Sequence, residues 1–456
     1  MYDWANSVYA TIMMAAVFPI YFSNVAGAAG QQGDTWWSLG TSIATAVVAV
    51  LAPVMGALAD FKGYKKKLFC AYLFLGLGAT LFSAVFVNWR LLLVGYILSH
   101  IGFSGGNLVY DSFLTDVTTH ERMDRISGLG YAFGYIGGST IPFLASIALI
   151  TFGENFGIDA TLAIRISVVI AVLWWGAFSI PFLKNVHQKY GIEKPESGVL
   201  KETFLAVGRT AKKIVQNKSI FYYILAYFFY IDGVGTVISM STAYGATLGL
   251  DATGMILALL VTQIVAFPCS IWFSKLTKKF GALRMITFAV LLYVCICSVG
   301  FVMGYNIERA EIPVKNEALA SYGVTVENPN HIPALDTALV EAGVPEDAWK
   351  NDSAYVQAIA TSSILFWVLA VMVGTVQGGI QAISRSYYGK LVPPENSGEF
   401  FGFFDIFGKF ATVMGPLLYA AVKTLVGRSS IAILSIALLF LVALGFLIAG
   451  RKHLVK

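Results

Sequence analysis

Asp232, Asp405 and Lys409 lie inside long apolar runs. An ionisable side chain there costs at least about 2.5 kcal/mol, so each is a functional candidate. Asp232 falls about 12 residues into its run, roughly 18 Å at 1.5 Å per residue, near the midplane of a bilayer. Gly233 and Gly235 follow it and are expected to loosen the helix and turn carbonyls toward a cavity, with Thr236 and Ser239 continuing the face. Asp405 and Lys409 stand at i, i+4 with the acid first, the order that favours self-neutralisation. The alternative gives Lys409 to an anionic group of a solute during one state of a cycle. Another run carries His100, Ser104, Asn107 and Asp111 at i, i+4, i+7 and i+11, one face of a helix. Gln377, Gln381, Ser384 and Tyr388 repeat that periodicity at matching depth in a later run. His100 can carry a proton because imidazole titrates near neutrality; its other reading is a hydrogen bond between helices. Groups of these kinds hold and release a solute or a proton.

Bond-making chemistry has no comparable support. The five His, at 100, 120, 187, 331 and 453, are scattered, and neither a metal-ligand cluster nor a Ser–His set falls within an apolar run. No catalytic residue, metal or cofactor is therefore expected. A nucleotide-driven pump needs a G-x-x-x-x-G-K-[ST] loop. The stretch from Gly402 to Gly408-Lys409 has one residue too many and is apolar.

The elements that must position these groups follow from composition. The 456 residues are 57% hydrophobic and 12% charged, with mean hydropathy +0.72. An ordinary soluble domain carries about 25% charge, and a soluble fold of this length could not bury so much apolar surface. The net charge of +5 is dispersed, so no nucleic-acid partner is expected. All four Cys lie in or beside apolar runs, where no structural disulfide is expected. Met1 is followed by Tyr2-Asp3-Trp4 rather than by a basic stretch, so no cleavable signal peptide is predicted.

Runs long enough to cross a bilayer fall near 5–24, 36–59, 68–87, 91–114, 126–150 and 161–183, then near 219–241, 253–273, 285–304, 355–382, 400–421 and 429–450. The expected class is an all-α integral membrane protein with twelve transmembrane helices in two six-helix pseudo-symmetric halves. If the N-terminus is cytoplasmic, the segments on that side hold 23 of the 31 Lys and Arg and the opposite loops hold seven. The positive-inside rule then puts both termini in the cytoplasm.

Three regions result: a bundle over 1–183, a linker over 184–218, and a bundle over 219–456 that includes an outer loop, 305–353. In the linker, Phe204, Ala211, Ile214 and Val215 alternate with Lys201, Arg209, Lys212, Lys213 and Lys218. This predicts an amphipathic helix lying on the anionic leaflet. The outer loop holds nine of the 26 acidic residues and predicts a short helix around Asp336 to Glu341. A repeat relates the halves. Gly105-Gly106 precede Gly128 as Gly378-Gly379 precede Gly402, with polar stripes at corresponding depths. Parallel six-helix repeats of this kind predict a secondary transporter. Gly130, Gly134 and Gly138, with Gly137 beside them, predict close helix packing that lets the halves rock.

Between the second and third runs stands Gly56-Ala57-Leu58-Ala59-Asp60-Phe61-Lys62-Gly63-Tyr64-Lys65-Lys66-Lys67. It resembles the signature loop of the major facilitator superfamily. The resemblance implies that Asp60 pairs across the two halves and braces the outward-open state, with Gly63 making the turn. The matching loop, Ser274-Lys275-Leu276-Thr277-Lys278-Lys279-Phe280-Gly281, has Lys278 in place of Asp60, so a latch built on Asp is one-sided. Four further segments resemble the vacuole-effluxer-like branch, which includes the fungal autophagy-related vacuolar amino-acid effluxer and bacterial relatives. They are Tyr2-Asp3-Trp4-Ala5-Asn6-Ser7-Val8-Tyr9-Ala10, Tyr227-Phe228-Phe229-Tyr230-Ile231-Asp232-Gly233-Val234-Gly235, Arg122-Met123-Asp124-Arg125-Ile126-Ser127-Gly128 and Glu399-Phe400-Phe401-Gly402. The likeness covers the chain except 305–353. In that branch a short extension precedes the Tyr-Asp-Trp motif, which leaves open a start upstream of Met1.

The resemblance implies a proton-coupled carrier of a small metabolite, amino acids first, exported across a bacterial inner membrane by a monomer. The binding candidates are Asp232, Asn107, Asp111, Gln377, Gln381, Lys409, Asp405, Asn6, Tyr230 and His100. Asp3 and Tyr9 are expected beside Asn6 in the inner vestibule. The gating candidates are Asp60, Gly63, Arg125 and Arg385, the last as a gate or a snorkelling residue. A membrane-embedded enzyme, a channel, or a receptor or scaffold on the same helical frame are the competing classes.

Overall fold

The computed structural model describes residues 2–194 and 198–454. Among the described residues eleven helices are long and apolar enough to cross a membrane, and a bent pair at the N-terminus, taken as one span, brings the number to twelve. That pair is α1 (Tyr2–Ala16 and Phe18–Ala28, bent by 40°). Then come α2 (Gly33–Ala59), α3 (Lys65–Val85), α4 (Trp89–Ser112), α5 (Met123–Phe133, Gly134–Thr140 and Ile141–Phe152) and α6 (Ala160–Asn185). The second half has α7 (Lys218–Thr247), α8 (Ala252–Phe280), α9 (Ala282–Ser321), α10 (Ser353–Leu391), α11 (Ser397–Val426) and α12 (Ser429–Ala449). Among the described residues there is no strand, only an isolated bridge between Phe61 and Ile192.

Local chemistry sets the ends of these rods. Asn88, Asp159, Asn217, Asp251 and Asp352 each accept a backbone N–H in the first turn of the following helix. Wide π turns occupy Ala10–Ala16 in α1 and Gly134–Thr140 in α5, just before Pro19 and Pro142. A proline cannot donate to the carbonyl four residues back, and the helix widens to relieve the mismatch.

Each half has its own core. Tyr2, Tyr9, Phe18, Trp175 and Phe182 centre the first; Tyr223, Tyr293, Phe366 and Phe440 belong to the second. Leu173, Ile364 and Ile448 are about two-thirds exposed or more, as lipid-facing residues should be. The linker bonds the turn after α2 through Gln188 and Gly63, and Ser219 at the start of α7 bonds His453; this end of the molecule is called the basic face below.

Two expectations are corrected here, and a third gains detail. The outer segment 305–353 is not a loop throughout: α9 runs on to Ser321, and the helix Ile332–Glu341 packs back on it through Leu319, Leu335 and Leu339. Lys315 bridges Glu311 and Asp336 within this cap. The expected linker helix (Val199–Gln216) forms and has two distinct faces. Thr203, Ala206, Thr210 and Ile214 face the bundle, whereas Phe204 and Val215 are 62% and 65% exposed. Finally, Gly130, Gly134, Gly137 and Gly138 press α5 against Trp4, Asp3 and Ser7 of α1, inside one half. Gly130 also comes against Arg385 of the other half, and Gly128, two residues earlier, meets Ser270 and Ser274 of α8.

Candidate functional site

A central cavity of about 740 Å³ separates the halves. The first half contributes Asn6, Asn107, Asp111, Tyr131 and Tyr135, and the second Gln263, Gln377, Gln381 and Arg385. Asn6 Nδ2 donates to Asn107 Oδ1 at 2.6 Å, so two predicted residues share one wall. A second compartment, about 230 Å³, adjoins it through Asp111, Tyr131, Gln381 and Arg385, and adds Asp405 and Lys409. Asp405 and Lys409 are paired in this state. Three carboxylates, Asp3, Asp111 and Asp405, and two cations, Arg385 and Lys409, therefore line one continuous space.

Arg385 closes its floor. The side chain is buried, so it does not snorkel. Nη1 donates to Asp111 at 2.9 Å and to Asp3 at 3.4 Å, Nε donates to Ser127 Oγ at 2.9 Å, and Nη2 donates to the Ser127 carbonyl at 3.3 Å. One cation on α10 thus holds α1, α4 and α5. The planar guanidinium, with its fork of donors, suits this task as a lysine could not. Tyr131 and Tyr110 lie 4.7 and 5.5 Å from it, placed for cation–π contact.

Further bonds join the halves toward the basic face. Asp124 accepts from Ser386 Oγ and Lys390 Nζ, both at 2.6 Å. Asp60 accepts from the backbone N–H of Gly398 at 2.7 Å and of Glu399 at 2.8 Å, the first turn of α11. A carboxylate at a helix N-terminus is favoured by the orphan donors and the dipole there. The approach requires glycine, because a Cβ on Gly56 would meet the Gly398 carbonyl. Gly63 takes φ +79° at the turn after Asp60, a conformation that suits glycine. Lys65 is fully buried, pairs with Asp116 at 2.8 Å and donates to Ser397 Oγ at 2.9 Å. Among the described residues, all ion pairs between the halves (Arg385 with Asp3 and Asp111, Lys390 with Asp124) lie in this region. Toward the other face, Ala15 of α1 and Ser239 of α7 line the cavity and are exposed. The space is closed at the basic face and opens away from it.

Burial pushes the Asp60 carboxyl up to about 8; Lys65 and the two backbone donors pull it down, and Glu399 pushes it up. A released, hydrated Asp titrates near about 3.9. Closing therefore takes up a proton, and the stability Asp60 lends the closed end is full below the lower value and lost as pH rises through the upper one. Spin labels at the exposed Lys67 and Glu395 are expected to move apart between pH 7 and 9. In Asp60→Asn that response should vanish, and a closed population weaker by about 1–3 kcal/mol should remain, because an amide oxygen replaces only one acceptor. An unchanged pH response in the variant would remove Asp60 from the latch.

Three of the binding candidates are not on the cavity wall, and neither is the gating candidate Arg125. Asp232 is fully buried in the seam between α7 and α11, where Oδ1 accepts the Gly415 N–H at 3.0 Å. Gly233 does not loosen α7: it packs against Phe440, and the helix is continuous from Lys218 to Thr247. Tyr230 is buried between α7 and α10, bonded to Ser384 Oγ at 2.6 Å and Tyr223 at 3.1 Å. His100 is buried, with Nδ1 3.2 Å from Tyr96 OH. Arg125 is exposed on the basic face, and its neighbour Asp124 makes the contact between halves. Tyr9 likewise turns inward, to Ser99 at 2.7 Å, while Asp3 joins Asn6 on the cavity as expected.

Sequence reasoning missed Lys65, Asp116, Asp124, Ser127 and Gln263. For Lys65 a signal existed. The buried stripe of α3 runs Lys65, Phe69, Leu73, Gly76, Thr80 and Ser83, so the first lysine of the triplet sits on the helical period of the core.

Comparison with known proteins agrees with this architecture. A bacterial homologue of the iron transporter ferroportin, in an outward-facing state, superposes with TM-score 0.58 at 14% identity, covering 99% of this chain and 97% of that one. The proton:xylose symporter XylE, of the major facilitator superfamily, superposes with TM-score 0.57 at 10% identity, covering 99% and 93%. The fold is that of a major facilitator transporter. Residues 37–121, 115–319 and 360–451 match the model of the vacuole effluxer Atg22-like family, and the chain belongs to that family. The MFS-type transporter YxiO of Bacillus subtilis (strain 168) is 38% identical over 451 residues, 97% of this chain and 92% of the relative. Autophagy-related protein 22-2 of Aspergillus clavatus is 23% identical over 342 residues, 72% of this chain but 48% of that longer protein. The relatives that carry a functional name are named as transporters, which favours transport over catalysis.

Proposed function

We propose that the protein is a secondary carrier of a small zwitterionic metabolite, an amino acid first, working by alternating access as a monomer coupled to protons. The observation that carries this reading is the pairing of Asp111 and Asp405 with Arg385 and Lys409 around one cavity. Such a set can meet an ammonium and a carboxylate together. The distribution of Lys and Arg supports a cytoplasmic basic face in a bacterial inner membrane, so this conformation is outward-open. The family description, vacuole effluxer, supports export.

A proton enters the cycle at Asp111. It is partly exposed to the cavity and bound to Arg385. A proton on that carboxyl removes the charge that holds the guanidinium, and the basic face is then free to part. Substrate and proton would thereby act on the same lock.

Counterflow of labelled amino acids into liposomes holding the purified protein tests the reading, with and without an imposed pH gradient. Exchange should occur without nucleotide, and a gradient should drive accumulation. Asp111→Asn should lower gradient-driven accumulation at least about tenfold more than exchange, a coupling free energy near 1.4 kcal/mol. Equal losses would remove the coupling role; no exchange of any zwitterion would remove the substrate class.

A further inference from the structure

The linker helix lies outside the twelve spans, and the carrier reading gives it no task. It packs against α2, α7 and α11, and so touches both halves of the molecule. The stripe of Thr203, Ala206, Thr210 and Ile214 is buried in that seat. Its height is marked by Glu399, in the first turn of α11. The Thr210 hydroxyl faces the Glu399 carboxyl, and Arg209 and Lys213 lie within its field. Glu399 also supplies a backbone N–H to Asp60. The helix therefore sits beside the Asp60 latch, at the level where α11 leaves the apolar layer.

The surface that the helix leaves uncovered has two characters. At 3.6 residues per turn, Phe204 and Val215 fall on one flank of the buried stripe. Lys212 lies opposite the stripe, and Arg209 and Lys213 fall on the other flank. Phe204 and Val215 are exposed, as are Arg209, Lys212 and Lys213. Leu205, half-exposed, interrupts the cationic side. Glu202 is the one acid of the helix and pairs with Arg209, which leaves both lysines for another anion. In water, nothing would align two large apolar side chains along one flank. At the edge of a bilayer each side has its own solvent: protein for the stripe, acyl chains for the apolar flank and phosphates for the cations. Helices with these faces lie in the membrane interface.

We propose that the outer surface of the linker helix is a docking surface for anionic phospholipid, and that such lipid braces the closed basic face. Phe204 and Val215 enter the boundary of the acyl region, and Lys212 and Lys213 take headgroup phosphates. The tilt that presents the flanks in this way is set by the seat. The seat is built from α2 of one half and α11 of the other, which the Asp60 latch holds together. Parting them takes the seat apart. Lipid that binds the seated helix better than the released one therefore shifts the population toward the closed state.

Nanodiscs holding the full-length protein test this, with a fluorophore at the exposed Gln216 and the four native cysteines replaced by serine. Quenching by headgroup-nitroxide phosphatidylglycerol is compared with quenching by the matching phosphatidylcholine at equal low mole fraction. Each basic side chain at an anionic surface is worth about fivefold, so the quenching ratio should be at least about fivefold. It should fall to near one in a variant carrying Lys212→Gln and Lys213→Gln. Each ratio is taken within one variant, so reconstitution yield divides out. Raising the salt from about 0.1 M to about 1 M shortens screening from about 10 Å to about 3 Å and should erase the preference without any substitution. Spin labels at Lys67 and Glu395 should report a closed-to-parted ratio at least about threefold higher with phosphatidylglycerol than with phosphatidylcholine alone, a population shift that the double variant loses. Equal quenching by the two lipids overturns the docking surface, as does a preference that survives both the double variant and high salt. Self-quenching of the fluorophore that rises with protein concentration in detergent assigns the face to a second copy and overturns it too. A lipid preference with unmoved distances overturns the brace.

Discussion

Arg385→Ala is expected to abolish transport and to open the basic face. The substitution removes the cation that joins α10 to α1, α4 and α5 at once, and it leaves Asp3 and Asp111 without their shared partner. Removing one partner from a buried charge network typically costs about 3–5 kcal/mol. Applied to the closed end, that is a shift of roughly a hundredfold or more toward the parted state. Labels at Lys67 and Glu395 should report a longer distance, and counterflow should fall at least about a hundredfold. Arg385→Lys keeps the charge without the planar fork, so it should recover part of the distance change and little of the turnover. Wild-type turnover in the alanine variant, or an unmoved distance distribution, would show that Arg385 is a passive wall of the cavity.

Lys65→Met should destabilise the whole bundle, whereas Lys67→Met should do almost nothing. The two lysines stand two residues apart in one basic run, yet Lys65 is fully buried and Lys67 is exposed. Without Lys65, the buried Asp116 keeps the backbone N–H groups of Lys189 and Tyr190, at 2.8 and 2.9 Å, but loses its counter-charge. Ser397 at the start of α11 loses its bond as well. The expected cost is about 3–5 kcal/mol, against less than about 0.5 kcal/mol for the exposed lysine. Denaturant or thermal unfolding in detergent measures both. Equal effects would mean that the positive run acts only as a surface anchor, as its sequence alone suggests.

The contrast between these lysines shows where reading the sequence stops. Charge repelled from lipid and apolar runs of fixed length made the twelve spans legible. The i, i+4 stripes made Asn107, Asp111, Gln377 and Gln381 legible as one-sided polar faces, and the structure puts all four on the cavity. Asp232 had the same credentials, an ionisable group near mid-membrane, yet it faces a neighbouring helix. Depth is a property of one helix; facing depends on how that helix is turned against its neighbours. His100 and Tyr230 fall off the cavity for the same reason.

The order of apolar and basic segments by itself determined the membrane class, the twelve crossings and the two-half repeat, because the cost of placing charge and unpaired backbone in lipid acts on each segment separately. The signature loop and the scattered motifs likewise carried the family. Only the tertiary structure decided that Asp124 rather than Arg125 spans the seam and that Arg385 locks three helices. Each of those depends on which side chains from distant segments share one small volume, and that is set by helix rotation and packing between halves, which no single segment encodes.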